Sequence, residues 1–73
     1  MNEEGFILGN NDKNLYIKDI DTANHKLEFT EDPNEAKMYE GGWYADVALD
    51  FIKFHFKNEE KVKALRSMYY ERE

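Results

Sequence analysis

Gly41-Gly42-Trp43-Tyr44-Ala45-Asp46-Val47-Ala48-Leu49-Asp50-Phe51-Ile52-Lys53-Phe54-His55-Phe56-Lys57 decides the fold, because its polar residues Asp46, Asp50, Lys53 and Lys57 recur at intervals of four, three and four. Wound at about 3.6 residues per turn, they form one narrow stripe on a helix predicted over residues 43–57. Almost everything else around the cylinder is aromatic or aliphatic, and such a helix needs cover on most sides. Acids in its first half and lysines in its second suit the helix dipole. The face Tyr44-Val47-Ala48-Phe51-Ile52 is expected to point inward, with His55 as a hydrogen-bonded histidine at its end. Trp43, Phe54 and Phe56 lie outside that face and suggest a homodimer interface.

A chain of 73 residues is one small domain, residues 1–73. Burial on this scale only just offsets an ordering cost of about 1.5 kcal/mol per residue. The core must be dense, and aromatics at 15% supply it, since there is no cysteine. Without cysteine there is neither a disulfide framework nor a thiolate metal site, which fits a reducing cytoplasm. The acidic start Met1-Asn2-Glu3-Glu4 is not that of a signal peptide, and no apolar run approaches a membrane span of about 20 residues. The expectation is a cytoplasmic protein without membrane attachment.

Charge is unevenly placed within the net −6. Residues 1–52 carry twelve acids and four bases, whereas residues 53–73 carry six bases and four acids. Nucleic-acid binding through phosphates asks for a basic face. The only candidate, Lys57, Lys61, Lys63 and Arg66, is diluted by Glu59 and Glu60, so no direct nucleic-acid binding is expected.

Along the chain, Gly5-Phe6-Ile7-Leu8-Gly9 reads as a strand, Asn10 to Asn14 as a turn, and Leu15-Tyr16-Ile17-Lys18-Asp19-Ile20 as a second strand. That strand puts Leu15 and Ile17 on one face and Tyr16, Lys18 and Ile20 on the other. After a turn at Asp21-Thr22-Ala23-Asn24, His25 to Thr30 alternates with Leu27 and Phe29 inward. Asp32-Pro33-Asn34-Glu35 opens a short helix, with Asp32 as cap, Pro33 at the first position and Glu35 reaching back in a capping box. Gly41-Gly42 stops it, and Lys37-Met38-Tyr39 is a candidate fourth, edge strand. Beyond Asn58, the spacing of Val62, Leu65 and Tyr69 predicts an amphipathic helix over 59–70, with a Glu59–Lys63 ion pair. The architecture is α+β: a three- or four-stranded antiparallel meander packed against the central helix, with a second, C-terminal helix beside it.

Leu15-Tyr16-Ile17-Lys18 followed by Phe29-Thr30-Glu31-Asp32-Pro33-Asn34-Glu35-Ala36-Lys37-Met38-Tyr39 resembles a cassette of small uncharacterised proteins from phages and prophages of Gram-positive bacteria. In these, a strand ending in Phe-Thr leads through an acid into Glu-Ala-Lys, an aromatic residue and a helix. The resemblance covers about half the chain and departs from the pattern at Gly41-Gly42-Trp43-Tyr44, where a polar, glutamate-rich helix start belongs. It implies a mobile-element origin and a small α+β fold, and transfers no catalytic residue.

No residue constellation specifies a reaction. His25 and His55 are the only histidines and have no second ligand at metal spacing, so no metal is expected. Ser67, the only serine, lacks a partner base, and the four glycines match no phosphate-binding loop. The chain is therefore read as non-enzymatic and without cofactor. From Glu28 to Asp50, by contrast, acids outnumber the single base Lys37, and aromatic residues lie among them. The predicted partner-binding residues are Glu28, Glu31, Asp32, Glu35, Tyr39, Glu40, Trp43 and Asp46. They would dock on the basic cleft of a host nucleic-acid enzyme in place of phosphates, with the aromatics as anchors. With the mobile-element origin that the resemblance implies, the expected function is inhibition of a host defence nuclease, as in anti-CRISPR proteins. The alternative is a structural or self-associating phage accessory protein; plain solubility would also use such acids.

Overall fold

The structure, a computed structural model, describes residues 3–72; Met1 and Asn2 of the acidic start lie outside the described residues. Strand β1 runs Glu3–Asn10, β2 Leu15–Asp21, β3 Lys26–Thr30 and β4 Arg66–Arg72, with helix α1 at Gly42–His55 and one-turn helix α2 at Glu60–Lys63. The strands form one antiparallel sheet in the order β3-β2-β1-β4. The α+β architecture with a four-stranded sheet is thus as predicted.

Each connection has a local cause. Asn10 accepts from the Asp12 amide at 2.9 Å and Asn14 takes the left-handed conformation (φ 49°), which turns the chain between β1 and β2. Asp32 accepts from the Asn34 amide at 2.9 Å, but the helix it starts is a single 3-10 turn, Pro33–Glu35. The capping box does not close. Thr30 Oγ1 stands between its two halves, accepting from the Asp32 amide and donating to Glu35 Oε2, each at 3.1 Å.

The fourth strand is not Lys37-Met38-Tyr39 but the carboxyl terminus. β1 pairs with β2 only at Gly9 and Asn10, whereas β4 pairs with β1 from Glu3 to Gly9. A strand lined with free N–H and C=O groups needs a partner, and Met68-Tyr69-Tyr70 carries the bulky side chains that fit a pleated surface. The helix predicted over 59–70 therefore shrinks to Glu60–Lys63, and its ion pair is Lys63 with Glu60 at 3.4 Å. Where β1 and β2 diverge, the chain at 37–39 fills the gap. The Lys37 amide donates to the Ile17 carbonyl (2.9 Å), and Phe6 and Tyr39 exchange two backbone hydrogen bonds of 2.8 and 2.7 Å.

The sheet is covered on both faces. Between the sheet and the helices Leu8 and Ile17 of the strands meet Ala45 and Ile52 of α1, Val62 of α2 and Leu65, all buried, with Phe6, Leu27, Phe29 and Phe56 packed around them. Ile7, Tyr16 and Ala36 form a smaller core on the other face with Met38, Met68 and Tyr70. A register shift between Ile17 and Asp19 moves Ile20 onto the α1 face, opposite to its predicted side. One added residue in a period-two pattern inverts everything after it.

Helix α1 is rotated relative to expectation. Its buried side is Ala45 and Ile52, with Ala48, Leu49 and Phe56 packed beside them, while Tyr44, Val47 and Phe51 face outward. Small Ala45 lets the helix lie close to the sheet, and Gly42 sits against the Phe6 ring. The outer flank stays uncovered because residues 66–70 of the second helix expected beside it are in β4.

Candidate functional site

Two surface features stand out, and different elements build them. The first is an apolar stripe on α1. Trp43, Tyr44, Val47, Phe51 and Phe54 are 71, 58, 49, 39 and 73% exposed. Tyr44, Val47, Phe51 and Phe54 follow the three-and-four spacing that aligns side chains on one helix face. His55 belongs to the same group; its ring forms no hydrogen bond among the described residues, and its centroid lies 4.2 Å from that of Phe51 and 5.1 Å from that of Phe54. His25 is in a turn rather than a strand, with φ 52°, and stacks on Phe56 at 4.3 Å.

The second feature is acidic. Glu28, Glu31, Asp32, Glu35, Glu40, Asp46 and Asp50 are all exposed. Among the described residues the one salt bridge is Lys63 with Glu60, so none of these seven acids is neutralised by an ion pair. They do not form one patch. Glu28 pairs across the sheet with Asp19 and shares a shallow groove with Asp19, Asp21 and Lys26, an arrangement of like charges that disfavours the bare sheet. Glu31 lies in a different depression, near Lys13 and Lys61. Glu35 is tied to Thr30. Asp46 and Trp43 belong to α1, in a separate layer.

Tyr39 is half-buried and packs against the main core, so it is a structural contact before it is an anchor. Burial, and then the neighbouring Asp19 carboxylate, raise its phenol pKa. Two hydrogen bonds from Asn24 hold the Asp21 carboxyl below its ordinary value.

Sequence reasoning missed two features. Asp19 joins Glu28 only through the β2–β3 register, for which no local signal exists. At the β1–β4 seam, Tyr69 donates to Glu4 Oε2 at 2.6 Å, with Glu71 Oε1 3.2 Å from the same phenol oxygen, and the Glu4 bond above all raises the Tyr69 phenol pKa. That pair depended on recognising residue 69 as strand.

Among the described residues, no group of three or more His, Asp or Glu converges as a metal site, and no helix is long and apolar enough to cross a membrane. The chain matches no protein-family model, no curated protein and no solved structure.

Proposed function

We propose that this protein is a non-catalytic binding module whose exposed acids, spread over several parts of its surface, engage a partner with a basic, nucleic-acid-binding face. The observation that carries this reading is the run of seven exposed acids from Glu28 to Asp50 that no salt bridge among the described residues neutralises. Carboxylates left in water are available to lysines and arginines of a partner, and such complementarity governs the speed and selectivity of docking. Where the partner is a host nuclease, the acids would take the place of phosphates and the protein would act as a phage-encoded inhibitor of the anti-CRISPR kind, in the host cytoplasm. The exposed stripe on α1 favours a second reading, self-association of an accessory protein, because apolar patches of that density mark interfaces.

The test is the triple change Glu31→Gln, Glu35→Gln and Glu40→Gln, which leaves the Asp32 cap in place. Exposed charges contribute only about 0–1 kcal/mol each to stability, so the fold should survive. Tagged protein incubated with lysate of a Gram-positive host should retain a nucleic-acid enzyme, duplex DNA should compete it off, and the triple variant should bind it about tenfold more weakly. An unchanged affinity, or a captured partner indifferent to DNA, defeats the reading.

A further inference from the structure

We infer that the exposed stripe of α1 is a seam for a second copy of this chain, packed antiparallel across a two-fold axis at the height of residue 49 along the helix, on the face opposite the Leu49 side chain. The inference deepens the self-association reading and rests on it, while standing apart from the basic-partner reading.

Three observations select this occupant. The first is spacing. Tyr44, Val47, Phe51 and Phe54 repeat at three and four residues, as the seam positions of a helix pair do. Their positions add to the same sum when Tyr44 is set opposite Phe54 and Val47 opposite Phe51, so one antiparallel register joins all four with their equivalents in the other copy.

The second is charge. The stripe Asp46, Asp50, Lys53 runs along one flank of α1, about 100° around the helix from the exposed aromatics. Asp46 and Asp50 mark its first half. At the other end Lys53 shares a shallow depression with Lys57, Lys63 and Val62. An antiparallel partner lays its lysine-bearing half beside the acids, brings Asp46 to within one residue of the height of Lys53 of the other copy and opposes the two helix dipoles. A parallel partner would set like halves side by side. A membrane surface fits less well, since interfacial helices carry lysine or arginine along the polar face, whereas acids border half of this stripe on a chain of net charge −6.

The third is area. An aromatic side chain can bury about 150–250 Å², so at the observed exposures the stripe offers on the order of 500 Å² per copy. Two copies together reach about 1,000 Å², the lower bound of a specific interface. That is a dimer of modest affinity, formed at micromolar concentrations and above.

The chain has no cysteine, which makes the geometry directly readable. The parent protein should sediment as a dimer at about 100 μM, and Phe51→Glu should associate about tenfold more weakly while keeping the parent's circular dichroism. A mixture of Tyr44→Cys and Phe54→Cys proteins under mild oxidation should give the mixed disulfide in preference to either symmetric one. Asp50, next to the axis, meets its own copy, so Asp50→Asn should tighten the dimer. A monomeric parent overturns both the seam and the self-association reading. A dimer that gives symmetric Tyr44→Cys or Phe54→Cys disulfides, or that is indifferent to Phe51→Glu, overturns the antiparallel seam and leaves self-association standing. Neither result touches binding to a basic partner, which the glutamate substitutions address.

Discussion

Ile52 and Phe51 are neighbours on α1, yet they should respond very differently to truncation. Ile52 is 0% exposed and belongs to the main core with Leu8, Ile17 and Leu65. Ile52→Ala removes buried aliphatic carbons and leaves a cavity that the flanking sheet and α2 can only partly close, which costs about 2–5 kcal/mol. For a domain this size each kcal/mol moves the melting temperature by about 4–8 °C, so Ile52→Ala should melt at least about 10 °C lower or lose its cooperative transition. Phe51 is 39% exposed, packs on His55 of its own helix and belongs to neither core cluster. Phe51→Ala should cost the monomer about 1–2 kcal/mol, within the range of ordinary substitutions. The assay is thermal and urea unfolding followed by far-ultraviolet circular dichroism at about 5 μM, below the range of a weak dimer. If Phe51→Ala unfolds the domain as Ile52→Ala does, α1 is turned the other way and the outward stripe does not exist.

Two further outcomes follow from the strands. A Cβ added at Gly9 would lie 2.3 Å from Tyr16 Cδ1 and 2.6 Å from the Leu15 carbonyl oxygen, whereas one added at Gly41 would meet nothing nearer than Tyr44 Cδ2 at 3.6 Å. Gly9→Ala should therefore lower the melting temperature by several degrees or more, Gly41→Ala should leave it nearly unchanged, and equal effects would place the β1–β2 turn wrongly. At the β1–β4 seam, the Tyr69 phenol is raised from its ordinary 10.0 chiefly by its bond to Glu4. A raised folded-state pKa stabilises while the phenol keeps its proton, so this contribution is whole below about pH 10 and is lost as pH rises through the folded value. Tyr69→Phe should flatten the alkaline limb of the stability curve; an unchanged alkaline limb counts against the bond.

Much of this protein is local and could be read from the chain itself. Alternation in residues 15–20 and 25–30 marks two strands, the second starting one residue before β3. The Asn-rich turn after β1, the Asp32-Pro33 start and the periodicity of 43–57 marked their elements within a residue or two, because each depends on dihedral preferences and neighbours a few positions away. The exposed acids were legible too, since charged side chains stay in water. Tertiary structure decided the rest. Whether Arg66 to Arg72 coils or extends depends on β1 offering an unpaired edge some 60 residues away in sequence, and an apolar spacing of three and four is compatible with either outcome. With that segment in the sheet, the outer side of α1 lost its cover. A helix apolar on two faces cannot declare which one it buries; the small Ala45 side and the shape of the sheet below it chose Ile52 over Phe51. Nor can a strand announce its own bulge, so Ile20 changed faces, and Glu28 and Asp19 became neighbours through pairing alone. Side-chain type was set residue by residue, whereas the face each side chain occupies was set by whatever backbone came to lie beside it.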